Sequence, residues 1–251
     1  MKIFIDPGHG GNDPGAVGNG MREADIALEV SRELEGILRR HGIETRLSRD
    51  ASAGATINQR WQAANAWAAD YLVSIHVNAG GGTGAETFVS ATKPNNRTFA
   101  LAVNDHYADA MGLRNRGVKA DTQTFVGSLG VLRHSHMPAI LIELAFIDSP
   151  PQNPDTEALR NRRQDMAEAL SESILNFLGI KPESEIKIEG VEEMRYNTIA
   201  EMPEWARPTI KKLIERGMLR GDGQGLSLSE DMIRVFVIHD RAGLYELVKT
   251  S

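Results

Sequence analysis

Short apolar runs alternate with longer segments of helical periodicity over the first 179 residues of the chain. The short runs predict strands, which cover residues 2–6, 43–48, 71–77, 86–90 and 139–144. Segments whose apolar residues recur at helical spacing predict helices, which cover residues 23–40, 56–69, 95–111 and 156–177. Strands that alternate with helices in this way predict an α/β fold, in which helices cover a central sheet.

The pattern changes near residue 180. Residues 180–190, IKPESEIKIEG, combine a proline, a serine and alternating charges, which is typical of a linker. Two further helices are predicted after it, at 204–216 and 229–247, joined by the segment GDGQG. We therefore expect a large domain over residues 1–179, a linker over 180–190 and a small α-helical C-terminal domain over 191–251.

Composition removes several classes of function. The chain of 251 residues has no cysteine, which excludes disulfides and cysteine-based metal sites or nucleophiles. Its net charge of −6 lacks the positive surface expected of a protein that binds nucleic acid or anionic lipid. We expect no membrane insertion, because no apolar run reaches the length of a membrane span. The apolar stretch at the N-terminus stops at Asp6, so we expect no secretory signal.

Two histidines lie where predicted strands end beside glycine-rich segments. His9 follows the first strand in DPGHGG, and His76 ends the strand in SIHVN. Residues at strand ends of an α/β sheet face the crevice in which ligands bind. Each histidine has an ordinary alternative, His9 as an incidental turn residue and His76 as a hydrogen-bonded polar residue. The pair together favours a metal site, because histidine is the commonest metal ligand.

Two glutamates extend this hypothesis. Glu23 begins the first long helix after the loop GGNDPGAVGNG, whose glycines would allow it to fold back over the end of the first strand. Its alternative role is that of a first-turn acid that favours the helix dipole. Glu143 interrupts the apolar strand AILIEL, where an unpaired buried carboxylate is costly. Either the strand ends early and Glu143 meets water or an arginine, or Glu143 is a functional base.

Two histidines and one glutamate with an open fourth position form a known catalytic zinc set. The same set of ligands also suits iron. Zinc lowers the pKa of a bound water from 15.7 to roughly 7, and a nearby glutamate can take up the proton and pass it to a leaving amine. The chain has no H-E-x-x-H and no G-x-S-x-G motif, so the helix-borne metalloprotease and serine-hydrolase arrangements are excluded.

Several motifs occur together in a fixed order. These are DPGHGG, then Glu23, TRLSRD, SIHVNA, NRGVK and VLRHSHMPAILIELAFI. Over residues 1–178 the chain resembles the zinc-dependent N-acetylmuramoyl-L-alanine amidases of the amidase-3 type. The resemblance implies a twisted, mostly parallel sheet flanked by helices. It also implies hydrolysis of the amide bond between the lactyl group of N-acetylmuramic acid and the first L-alanine of the peptidoglycan stem.

The resemblance also implies roles for individual residues. His9, Glu23 and His76 match the ligands of one Zn²⁺ in the catalytic domain, and Glu143 matches the catalytic carboxylate. Two other functions stay open: a metal-dependent hydrolase with another amide or acyl substrate, and a cell-wall-binding protein without catalysis.

One position departs from the family pattern. The family often has asparagine soon after the FI of its last strand, where this chain has Asp148. This puts local loop contacts in question but not the metal chemistry. His134 and His136 match no ligand in the family, and we expect them to line the groove or the surface.

The biological origin of the protein, its location and the role of its C-terminal domain are inferred from the same resemblance. A short catalytic domain, a linker and a small C-terminal module without a signal resemble a phage endolysin, made in the host cytoplasm and acting at the bacterial cell wall. A sporulation amidase of the mother cell would look the same. For the C-terminal domain we weigh cell-wall targeting, self-association and a packing appendix, with wall targeting first because tethering raises effective concentration. Four apolar residues are expected in its core: Trp205, Met218, Leu219 and Leu226.

Overall fold

The structure is a computed structural model that describes residues 1–50, 53–181, 195–221, 225–243 and 245. It divides into two compact units, residues 1–186 and 187–251, each of which is described by itself. The predicted linker lies almost wholly outside the described residues, as do residues 222–224 of GDGQG and the end of the last predicted helix. The proposed domain boundaries therefore stay predictions.

The first unit contains strands β1 to β8 and helices α1 to α6 among its described residues. The strands are β1 Lys2–Pro7, β2 Val17–Gly18, β3 Met21–Arg22, β4 Glu44–Leu47, β5 Tyr71–Asn78, β6 Ala85–Val89, β7 Asn115–Ala120 and β8 Ala139–Phe146. The helices are α1 Glu23–Arg40, α2 Ile57–Ala66, α3 Arg97–Met111, α4 Gly130–His134, α5 Pro154–Asn161 and α6 Arg163–Phe177.

Six of these strands form one sheet in the order β4-β1-β5-β8-β6-β7. Neighbouring strands are parallel except for the antiparallel pair β6 and β8. Helices α1, α3 and α6 belong to the larger apolar core, and α2 and α4 to a smaller one. The predicted α/β fold with a mostly parallel sheet flanked by helices is confirmed.

Side-chain alternation along the strands decides which residues share a face. In β1, Ile3 and Ile5 belong to the larger core, whereas Phe4 belongs to the smaller one. In β8, Ile142 faces the larger core and Leu141 the smaller one. The polar residues of these strands therefore continue the face of the smaller core toward the strand ends, which is where the candidate site lies.

Several elements of the first unit differ from the predictions, among them the unpredicted two-residue strands β2 and β3. Strand β7 was not predicted, because it lies at the sheet edge and its residues NRGVKA are mostly polar and only partly buried. Helix α4 was not predicted either, since it has only five residues. The helix predicted over 156–177 is two helices, because the backbone of Arg162 leaves helical geometry with φ −126°. No proline or glycine marks this break, and the helical spacing of apolar residues continues across it, so the sequence predicted one helix.

The second unit contains β9 Arg195–Tyr196, α7 Arg207–Glu215, β10 Leu228–Ser229 and α8 Glu230–Arg241. The two strands pair in an antiparallel ladder. A core of its own holds the unit together, made by Tyr196, Met202, Ala206, Ile210, Leu213, Leu228, Ile233 and Val237. Trp205 was expected in that core but is 42% exposed and does not belong to it. The other three residues expected there, Met218, Leu219 and Leu226, pack against the core.

No helix in the described part of the chain combines the length and apolarity that a membrane span requires.

Candidate metal centre and active site

His9 lies in the loop that follows β1 and has a left-handed backbone conformation, with φ 55°. Two arginines hold the carbonyl groups of this loop. Arg60 Nη2 donates to the carbonyl of His9 at 2.6 Å, and Arg49 Nη2 donates to that of Gly8 at 2.7 Å. A strained conformation of this kind persists only where its surroundings fix it, so these two side chains position His9.

Glu23 is the first residue of α1 and is 4% exposed. Backbone N–H groups hold both of its carboxylate oxygens: Val77 donates to Oε1 at 3.0 Å and Ala16 donates to Oε2 at 2.8 Å. The glycine-rich loop makes this approach possible, because a Cβ on Gly15 would lie 2.6 Å from Glu23 Oε2. Glu23 therefore does fold back toward the end of the first strand.

The side chains of His9, Glu23 and His76 converge at this place. Glu23 Oε1 lies 3.1 Å from His9 Nε2 and 2.9 Å from His76 Nδ1. Each residue offers one ligand atom, and these atoms lie within 4.8 Å of one another. The two imidazole side chains are 27% and 18% exposed, so one side of the cluster is open to solvent. Two nitrogens and one oxygen with an open side fit a divalent cation, and the cluster is a candidate metal site.

Glu23 and the two histidines of the cluster stabilise each other's charged forms. Burial opposes ionisation of Glu23, but hydrogen bonds from His76 and His9 outweigh it and lower the pKa of this carboxyl. Burial likewise opposes protonation of His9, but its hydrogen bond to Glu23 outweighs that effect and raises the pKa of His9 to about 9. The carboxylate is thus ionised and ready to face a cation.

Glu143 lies directly opposite His76 on the neighbouring strand β8. Its Oε2 atom is buried and has no hydrogen-bond partner among the residues that the structure describes. Burial raises the pKa of Glu143 to about 7, against the opposing effect of His76. The strand does not end before Glu143, and no arginine pairs with it in the described structure. The residue as a whole is partly exposed, so these observations argue against an arginine partner but not against contact with water. A carboxyl group of this pKa can accept and release a proton near neutral pH.

A buried ion pair beneath the site was not found from the sequence. Asp6, at the end of β1, accepts from Arg60 Nη1 of α2 at 2.7 Å, and both side chains are almost fully buried. Ser48 and Ser74 donate to the two oxygens of Asp6 at 2.5 and 2.7 Å. The signal available was Asp6 within DPGHGG, but its arginine partner lies 54 residues away.

A cavity of about 280 Å³ opens beside the cluster. His9 and His76 line it together with the apolar residues Ile57, Val126 and Leu129. It offers a partly apolar space in which a ligand can approach the two histidines.

Neither His134, His136 nor Asp148 belongs to the cluster. His134 and His136 are both exposed. Asp148 Oδ2 accepts from the N–H groups of Gly80 and Gly81 at 2.8 and 2.9 Å. The aspartate therefore supports the loop after β5 and takes no part in the candidate metal site.

The fold and the cluster define an α/β protein with a candidate mononuclear metal centre. A family model described as N-acetylmuramoyl-L-alanine amidase matches residues 3–176, which is more than half of the chain. The chain therefore belongs to this family, of the amidase-3 type, and the resemblance in its motifs is confirmed.

Individual relatives agree with this assignment. A sporulation-specific N-acetylmuramoyl-L-alanine amidase of Bacillus subtilis is 41% identical over 153 residues, covering 59% of this chain and 57% of the relative. An endolysin of Bacillus phage SPP1 is 35% identical over 193 residues, covering 72% of this chain and 68% of the relative. The chain thus spans less than two thirds of the first of these proteins.

A crystal structure of an N-acetylmuramoyl-L-alanine amidase from Clostridium difficile 630 is similar to this fold. It has a TM-score of 0.64 and 31% sequence identity, and the match covers 72% of this chain and 97% of that structure.

Proposed function

We propose that this protein is a zinc-dependent N-acetylmuramoyl-L-alanine amidase that hydrolyses the amide bond between N-acetylmuramic acid and L-alanine in peptidoglycan. One observation carries the proposal: His9, Glu23 and His76 converge within 4.8 Å, and Glu143 stands opposite His76 on the next strand. Membership of the amidase family supports the choice of substrate.

The three residues of the cluster would hold the metal. Two imidazole nitrogens and one carboxylate oxygen leave one position open, as in catalytic zinc sites. When bound, zinc supplies a Lewis acid that lowers the pKa of water to about 7 and polarises an amide carbonyl. Backbone N–H groups of Val77 and Ala16 keep Glu23 in place, while Arg60 fixes the loop that carries His9.

Glu143 acts as the general base and then as the general acid. Its carboxylate accepts a proton from the attacking water as the water oxygen bonds to the amide carbon. It returns that proton to the amine nitrogen of the leaving alanine as the C–N bond breaks, so that the carboxyl group ends as it began. Burial holds the pKa of Glu143 near 7, which suits both proton transfers. The chain has no cysteine that could serve as a covalent nucleophile.

The test uses purified cell walls and the whole chain of 251 residues. Added protein should clear a suspension of sacculi, release new N-terminal alanine and create no new reducing sugar. EDTA should abolish the activity, and stoichiometric zinc should restore it. Wall binding without cleavage in the presence of zinc would favour the non-catalytic alternative. Cleavage of unrelated amides but not of muropeptides would favour another substrate.

We also propose that residues 1–179 form the catalytic domain and that the C-terminal unit tethers it to the cell wall, where the enzyme acts. The second unit has its own apolar core, and Trp205 lies outside that core with 42% exposure. Trp205, Val237 and Ile238 line a cavity together with Arg234 and Arg241. An aromatic ring beside such a cavity suits contact with sugars or with a polymer of the wall.

A further inference from the structure

A row of polar side chains crosses the sheet from the candidate metal site toward its edge. His76 of β5 is the register partner of Glu143 in β8, and Glu143 is the register partner of Glu86 in β6. Directly opposed residues on neighbouring strands have side chains about 5 Å apart on the same face. Beyond Glu86, the edge strand β7 contributes Arg116 and Lys119, both in contact with the Glu86 carboxylate.

The end of this row carries more positive than negative charge. Glu86 is 4% exposed, and its Oε2 accepts from Arg116 Nε at 2.6 Å and also from Lys119 Nζ. Its other oxygen, Oε1, accepts from Asn78 Nδ2 at 2.7 Å. Burial opposes ionisation of Glu86, but the two cations outweigh it and lower its pKa. One ionised carboxylate therefore faces two cations.

Arg116 is held in a fixed orientation with donors to spare. Its guanidinium lies 4.8 Å from the centre of the Phe146 ring, and Nε is engaged by Glu86. Nη1 has only a long contact of 3.4 Å with the carbonyl of Thr83, and Nη2 has no partner among the described residues. The side chains of Arg116 and Lys119 are 24% and 29% exposed, so an anion can reach both. A preorganised guanidinium beside an ammonium is a strong receptor for a carboxylate.

We propose that Arg116 and Lys119 form a carboxylate-binding subsite for the peptide stem of the substrate, next to the bond that is cut. This inference rests on the proposed amidase function. Strands β8 and β7 are two strand spacings apart, about 10 Å. The side chains of Arg116 and Lys119 reach back from β7 to Glu86, so their charged groups lie closer to β8 than this distance. An extended peptide advances about 3.3 Å per residue. The subsite therefore suits the free α-carboxylate of the acidic residue that follows the first alanine.

Glu86 has a positioning role in this arrangement. It holds the two cations side by side, while Asn78 fixes the carboxylate from the other side. If the same contacts were purely structural, they would only tie β6 to the edge strand β7. Substitution of Arg116 or Lys119 would then affect charged and uncharged substrates equally, whereas a binding role predicts a larger effect on the charged substrate.

The experiment compares two soluble substrates that differ only in this group: N-acetylmuramoyl-L-alanyl-D-glutamate and its α-amide, N-acetylmuramoyl-L-alanyl-D-isoglutamine. The wild-type protein with zinc should have the lower KM for the free acid. Arg116→Gln and Lys119→Gln should each raise the KM for the acid about tenfold, the size of one charge-assisted hydrogen bond, with little change in kcat. The KM for the amide should stay within about twofold, and Arg116→Lys should recover part of the loss because it keeps the charge.

The matched control is Arg114→Gln, which removes an exposed cation just before β7 and outside the contacts of Glu86. It should leave both KM values unchanged. Equal KM values of the wild type for the two substrates, or equal effects of the substitutions on both, would overturn the subsite and leave the amidase function standing. No cleavage of either substrate by the wild type would overturn the amidase function and the subsite with it.

Discussion

Asp13 Oδ2 lies 2.8 Å from His9 Nδ1, on the side of the imidazole opposite to the cluster. The other ring nitrogen, Nε2, lies 3.1 Å from Glu23 Oε1. The second oxygen of Asp13 accepts from the N–H group of Gly15 at 3.0 Å, which fixes the carboxylate. Asp13 thus keeps a proton on Nδ1 and turns Nε2 toward the place where a metal would bind, as carboxylates do behind metal-binding histidines.

Removal of this carboxylate should weaken metal binding. We expect Asp13→Ala to lower the affinity for zinc about 10- to 100-fold, because the ring loses its orientation. Asp13→Asn should keep most of the affinity, since an amide oxygen still accepts from Nδ1. Competition with a chromophoric chelator at fixed pH measures the affinity. Asp25→Asn, an exposed acid in the first turn of α1, is the control. Unchanged affinity in Asp13→Ala would contradict the orienting role.

Gly8 leaves room for the ring of His76. A Cβ at this position would lie 2.5 Å from His76 Cε1 and 2.7 Å from Nδ1, closer than atoms can approach. Gly8→Ala should therefore displace His76 and abolish zinc binding, which equilibrium dialysis followed by metal analysis would show. The control is Gly36→Ala in α1, where only Arg40 Nη1 lies near, at 3.9 Å. That change should raise the free energy of unfolding by about 0.5–1 kcal/mol and leave zinc binding intact. Full zinc binding in Gly8→Ala would contradict the expected displacement of His76.

The buried pair of Asp6 and Arg60 should govern stability in acid. Asp6→Asn leaves Arg60 buried without its counter-charge, which should cost about 3–5 kcal/mol of unfolding free energy at pH 7. Burial alone would raise the pKa of Asp6, but Arg60, Ser48 and Ser74 outweigh it and lower the pKa below 3.8. The stabilisation is therefore complete above pH 3.8 and is lost as the pH falls through the folded-state pKa.

Urea unfolding of the wild type and Asp6→Asn at pH 7 and at pH 3 measures this effect. The difference between the two proteins should shrink at the lower pH. Asp165→Asn, whose carboxylate forms an exposed pair with Arg162, should show little effect at either pH. A difference that is equal at both pH values would mean that the charge of Asp6 does not matter.

The sequence led to the four candidate site residues because each has a local signal. His9 and His76 stand at strand ends beside glycine-rich segments, and Glu143 interrupts an apolar strand. Parallel strands bring their carboxyl ends to one edge of the sheet, so residues far apart in sequence could be grouped without coordinates. The structure places the side chains of His9, Glu23 and His76 together as expected. Their roles toward zinc stay predictions.

The supporting contacts could not be predicted in the same way. Arg60 lies on a helix whose residues show little amphipathic pattern, and its partners are Asp6 and the carbonyl of His9. Glu86 meets Arg116 only because β6 runs antiparallel to β8 and pairs with the edge strand. Such contacts depend on strand order and on the path of long side chains, neither of which periodicity reveals. The contact of Asp13 with His9 was easier to predict, since the two residues lie only four positions apart in the sequence.

A chain that ends at residue 179 should separate the two proposed domains. The fragment should fold, bind one zinc ion and cleave soluble muropeptides at a rate close to that of the full chain, because the first unit has its own core. It should be retained less by sacculi in a sedimentation assay, since the tether is gone. The chain of 251 residues on the same soluble substrate is the control. Equal retention by sacculi would remove the wall-targeting role, and an insoluble fragment would contradict the domain boundary.

Glu143→Gln separates proton transfer from metal binding. Glutamine has nearly the same shape as glutamate but cannot take up a proton, so kcat on soluble muropeptides should fall about 100- to 10,000-fold, the usual contribution of a general base. The bound zinc, measured by metal analysis, should stay at one ion per chain, because the residues of the cluster are unchanged. Glu172→Gln, in a half-exposed contact with His106, should change neither quantity. A variant at 143 that loses zinc in the same proportion as activity would make Glu143 a ligand, and the proton would then need another acceptor.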